Sequence, residues 1–112
     1  MTVHGETMLW IAQRASAVLL AVCVTVHLVT MTYAIRGGLS AVEIFARTRG
    51  SIGWLAFYTL FVVAVTVHVP IGLRSALGEW LGWRGRSRDV VLAAFALALG
   101  ALGMRAVLGV FA

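Results

Sequence analysis

Residues 50–73 read GSIGWLAFYTLFVVAVTVHVPIGL, a run of 24 residues without a formal charge. Wound as an α-helix at 1.5 Å per residue, such a run is about 36 Å long, enough to cross the roughly 30 Å hydrocarbon core of a bilayer. Two more segments match it. Residues 15–35 before it are also uncharged, in a helix expected to start near Met8, and residues 90–112 after it are interrupted only by Arg105. The expectation is an all-α integral membrane protein. Its three transmembrane helices, I (about 8–36), II (about 50–81) and III (about 88–111), form an up-down-up bundle in a single membrane domain over 1–112.

Composition agrees. Of the 112 residues 62% are hydrophobic and 12% charged, against about a quarter charged in an ordinary soluble domain. So little polar surface excludes a free-standing soluble enzyme, and any chemistry must lie between helices or be shared with partner chains. The nine basic residues are all arginine and give a net charge of +5. They flank the apolar runs instead of forming a stripe on a soluble face, which favours lipid head groups and partner proteins over nucleic acid. The lone Cys23 sits inside helix I, so no intrachain disulfide is available. Glu6 ahead of the first run, and the length of that run, read as a retained helix and not a cleaved signal.

Turn chemistry supplies the connections. Gly37-Gly38 ends helix I, and Ser40-x-x-Glu43 reads as a capping box opening a short interfacial helix that ends near Arg47. Gly78, Gly82 and Gly85 with Arg84, Arg86 and Arg88 mark the turn after helix II, where Ser87 is the expected cap of helix III. Arg14, Arg74, Arg84, Arg86 and Arg88 fall on one side, and Arg36, Arg47, Arg49 and Arg105 on the other. Five against four votes for a cytoplasmic N-terminus. Trp10, Trp80 and Trp83 then make an inner aromatic belt, and Tyr33 and Trp54 an outer one.

Ionisable groups at membrane depth are costly and count as functional candidates. Helix I carries Ser16, Cys23 and His27 on one face, and helix II carries His68, Gly72, Ser75 and Glu79 on another. Antiparallel helices put His27 in the outer half and His68 in the inner half, too far apart to share a metal. A neutral imidazole beside small residues suits axial ligation of a haem, with Gly72 leaving room for the macrocycle. It equally suits a hydrogen bond that glues neighbouring helices. Pro70 near His68 removes one backbone bond and can kink helix II. Arg14, Ser16, Arg74 and Glu79 are expected to gather at the inner interface, where they would suit a quinone carbonyl or serve as ordinary anchors.

The stretches Gln13-Arg14-Ala15-Ser16-Ala17 and His68-x-x-x-Gly72-x-Arg74-x-x-x-x-Glu79 resemble the membrane anchor subunits of succinate dehydrogenase and fumarate reductase, the cytochrome b part of complex II. That resemblance implies haem b on His68, with Gly72 one turn on, and a quinone pocket near Arg14 and Ser16 beside the iron-sulfur subunit. Glu79 stands where the family usually has Asp, and Trp80 where some members have Tyr. Gln13 and Ala17 replace the commoner His and Gly. His27 resembles the helix I ligand of two-haem members, the second ligand of each haem coming from a second anchor chain, related or identical. The resemblance also implies a flavoprotein partner, a quinone substrate and a bacterial inner membrane. The alternative from the residues alone is a structural or proton-coupled transport subunit without haem, against which the scarcity of carboxylates at membrane depth argues.

Overall fold

The computed structural model describes residues 2–112. It contains α1 (Val3–Arg36), α2 (Ala41–Thr48), α3 (Ile52–Trp80) and α4 (Arg86–Phe111), with no strand among the described residues. The molecule measures 49 × 24 × 22 Å. α1, α3 and α4 are each long and apolar enough to cross a membrane. The chain is a three-span helical membrane protein with a short helix between the first two spans.

Local capping decides where the elements begin. α1 starts at Val3, earlier than expected, because the Thr2 hydroxyl accepts the Gly5 amide at 3.1 Å. The Ser40–Glu43 capping box forms as read: Glu43 N donates to Ser40 Oγ, and Ser40 N to Glu43 Oε1, both at 3.2 Å. α4 departs from expectation. Gly85, at φ +96°, is its N-cap, and Ser87 lies inside the helix, where its Oγ accepts the Trp83 indole N–H at 3.0 Å. α3 runs unbroken through Pro70.

α3 is the shared neighbour, with α1 on one side and α4 on the other, and the two flanking helices have little direct contact. Small residues let α4 approach. A Cβ on Gly103 would fall 2.7 Å from a methyl carbon of Val62, and one on Gly100 3.5 Å from Thr66 Cγ2. In lipid, where apolar side chains gain nothing by leaving solvent, such close backbone approach is a main source of helix association. The protein-side core is accordingly thin: Cys23, Ala64, Leu92 and Val107 are its buried apolar residues, while Val18, Val29 and Leu97 face outward.

At the other end of α4 the α2–α3 segment closes the helix. The last carbonyls of any helix lack an internal donor. Here the Thr48 hydroxyl donates to the Val110 carbonyl at 3.0 Å, and the Gly50 amide, from a left-handed residue at φ +71°, donates to the Phe111 carbonyl at 2.9 Å.

Two stability tests follow from this packing. Gly103→Leu is expected to destabilise the protein by about 1–3 kcal/mol through overpacking against Val62, measured by unfolding in detergent. Gly109→Leu, where a Cβ meets nothing within 4 Å, should stay close to wild type. Thr48→Val should cost about 0.5–1.5 kcal/mol for the lost hydrogen bond to α4.

Candidate functional site

Polar groups inside the spans occupy two separate places. The first surrounds His68 on α3. Pro70 lacks an N–H, so the Thr66 carbonyl has no helical donor four residues on. Among the described residues, three buried side-chain atoms have no hydrogen-bond partner: Gln13 Oε1, Thr66 Oγ1 and His68 Nδ1. An unsatisfied buried polar atom costs about 1–3 kcal/mol in a folded protein. His68 and Gln13, which meets Gly72 one turn on, mark a place suited to a further hydrogen-bonding or ligated group, whereas Thr66 faces Gly100 of α4 and the cleft at the α2 end. The position a Cβ would take on Gly72 lies 3.4 Å from Gln13 Nε2. The space beside this glycine is therefore met by the α1 amide, and Gly72 serves the α1–α3 approach.

The second place is His27, half-buried on α1. Its Nδ1 lies 3.4 Å from the Tyr58 hydroxyl, and its ring meets Tyr58 and Phe61 edge-on at 5.8 and 5.6 Å. It lines an apolar cleft of about 610 Å³ at the α2 end of the molecule. Tyr58 and His68 are ten residues apart on α3, about 15 Å along its axis, so the two histidines belong to different sites, as antiparallel helices require. No group of three or more His, Cys, Asp or Glu side chains among the described residues could hold a metal ion.

Where the ends of α1 and α3 meet the start of α4, charged side chains interlock. Arg74 reaches Glu6 of α1 at 3.4 Å and Asp89 of α4 at 3.5 Å, and so ties all three spans together. Arg88, only 7% exposed, bonds Asp89 at 3.1 Å and donates to the Arg74 carbonyl at 3.4 Å. Its guanidinium fits because residue 78 is glycine; a Cβ there would stand 3.2 Å from Arg88 Nη1. Arg84 donates to the Gly78 carbonyl at 3.1 Å. Glu6, Arg74, Arg84 and Arg88, with Ser75 and the exposed Glu79, line a polar basin of about 420 Å³.

Only part of the expected inner cluster comes together. Arg74 and Glu79 share the basin. Arg14 does not join them: it is exposed and stacks over Trp10 at 5.1 Å. Ser16 is buried, and its hydroxyl donates back to the Gln13 carbonyl at 3.1 Å. Trp80 is 84% exposed and lies outside the basin lining. The members missed from sequence are Glu6, Arg88 and Asp89. Their spacing along the chain gives no hint of Arg74, and only the early start of α1 brings Glu6 level with it.

A transmembrane scaffold thus holds an unpartnered histidine within the spans and a charged basin at one end. A family profile described as "Succinate dehydrogenase/Fumarate reductase transmembrane subunit" matches residues 1–107. No curated protein and no solved structure matches the chain. The match covers nearly the whole chain and includes both stretches that carry the resemblance, and with it the chain belongs to the family of succinate dehydrogenase/fumarate reductase transmembrane subunits.

Proposed function

We propose that this chain anchors an iron-sulfur subunit and a flavoprotein subunit to the bacterial inner membrane, N-terminus on the cytoplasmic side, and helps electrons pass between iron-sulfur clusters and a quinone. The observation that carries the cofactor part is His68: a histidine within a membrane span whose buried Nδ1 has no partner. Because the buried Nδ1 of His68 makes no hydrogen bond to a neighbouring helix, the ring is not spent as packing glue, and its other edge suits a ligand of haem b. Bound there, haem b supplies a one-electron couple able to link single-electron clusters to a two-electron quinone. His68 would hold the iron, together with a residue from a second anchor chain, related or identical. Gln13, lodged against Gly72 with Oε1 unpartnered, would orient what binds beside His68.

Quinone chemistry belongs to the basin end. A quinone carbonyl needs donors, and the Arg84 and Arg88 guanidinium groups provide them, while the Glu79 carboxylate can exchange protons with the aqueous phase. Of the other residues expected at a quinone site, Ser16 lies deeper along α1 with its hydroxyl on the Gln13 carbonyl, and Arg14 and Trp80 lie outside the basin at this end. Arg14 and Trp80 are exposed there and suited to contact the iron-sulfur subunit. His27 would serve a second haem only through Nε2, because Nδ1 faces Tyr58. The family supports an anchor over a transporter.

A reduced-minus-oxidised spectrum of the assembled complex tests the haem assignment. A b-type band is expected in wild type and should vanish in His68→Ala, while no haem in the wild-type complex would refute the reading. The band in His27→Ala decides between one haem and two. Glu79→Gln should lower quinone turnover by roughly tenfold or more and leave the band in place.

A further inference from the structure

The cleft at the α2 end has no part in the His68 site or the basin, and its walls point to a different occupant. All four helices line it, among them His27, Phe45, Thr48, Tyr58, Ala106 and Val110. Its principal polar groups satisfy one another: His27 Nδ1 meets the Tyr58 hydroxyl at 3.4 Å, and the Thr48 hydroxyl donates to the Val110 carbonyl at 3.0 Å. Beyond these the Thr66 hydroxyl stands without a partner, and the rest of the wall is almost wholly carbon, which suits a hydrocarbon occupant. On α4 the lining runs from Leu99 to Val110, about 16 Å of helix, close to the depth of one leaflet in a core of about 30 Å.

Charge at the mouth selects the head group. Arg36, Arg47, Arg49 and Arg105 lie toward this end, and none of them forms an ion pair among the described residues. The acid here, Glu43, is occupied by the Ser40 amide and hydroxyl in the capping box. Outside the lining, Arg47 on α2 borders the adjoining recess with its guanidinium over Tyr33 at 5.8 Å, and Arg49 at the α2 C-cap stacks over Phe45 of the cleft wall at 5.1 Å and donates to the Ala112 carbonyl at 3.1 Å. Arg47 and Arg49 are exposed, and lipid phosphate is the anion a bilayer presents to such groups.

We propose that this cleft seats one acyl chain of an anionic phospholipid whose phosphate rests on Arg47 and Arg49. α2 then works as a clamp, its apolar side over the chain and its arginines on the head group.

The test uses the full chain reconstituted in phosphatidylcholine bilayers with spin-labelled phosphatidylglycerol or phosphatidylcholine, the label low on the acyl chain. Electron paramagnetic resonance should show one motionally restricted phosphatidylglycerol per chain, favoured over phosphatidylcholine by roughly thirtyfold, the order expected of two basic contacts. Combining Arg47→Gln with Arg49→Gln should erase that preference. Ala106→Phe, which fills the cleft from an exposed position, should remove the restricted component while circular dichroism shows unchanged helicity. Leu102→Trp repeats the test from a second lining residue should the first variant fail to insert. A restricted component unaffected by the cleft-filling variants overturns the proposal, as does its loss when the second anchor chain is added, which would make the cleft a protein interface. A haem or quinone signal displaced by Ala106→Phe overturns it too, by assigning the cleft to a redox group.

Discussion

A bilayer core offers a backbone no hydrogen bonds and gives apolar side chains little reason to leave it, and the architecture of this chain follows from both facts. Helices satisfy the first. The second removes the force that normally packs a core, so α3 is held by other means: glycines that bring α4 close at Gly100 and Gly103, and an ion-pair node at Arg74 that reaches both flanking helices. Outward-facing Val and Leu are the normal surface in this solvent. The few buried side chains mark contact lines between helices.

The two ends of the bundle are closed by different chemistry. At the α2 end, Thr48 and Gly50 serve as donors to the final carbonyls of α4, so a short interfacial element finishes a helix distant in sequence. At the basin end, charge does the work. Arg74 is only partly exposed, its side chain at 21%, and surface pairs of this kind contribute about 0.2–1 kcal/mol each. Their value lies in geometry. One arginine sets the relative positions of α1 and α4, which scarcely touch, and holds open a polar recess beside the exposed Glu79.

Between these ends the two histidines experience opposite conditions. His27 has a hydroxyl partner at Nδ1 and two aromatic neighbours. His68 has a buried ring nitrogen with nothing to bond, one turn from Gly72, where the Gln13 Oε1 of α1 also lacks a partner. For an anchor subunit that shares its interior with another chain, unfinished polar chemistry on α3 is what a half-site looks like. In the proposed reading, electrons, quinone and the soluble partners meet this chain around His68 and the basin, and lipid meets it at α2.

Much of this was written in the sequence. Three uncharged runs long enough to cross a bilayer, the Ser40–Glu43 capping box and the Gly37-Gly38 stop are local features, set by composition, propensity and hydrogen bonds within a few residues. The separation of His27 from His68 also follows from antiparallel helices alone. The partners of Arg74, the turning of Arg14 onto Trp10, the burial of Arg88 beside Gly78 and the filling of the space at Gly72 by Gln13 were decided only by tertiary structure. Each depends on how far one helix slides and rotates against another. A helical repeat tells which residues share a face, but register between helices is set by close contacts such as Gly103 on Val62 and by caps such as Thr2, whose effects appear only once the helices are side by side.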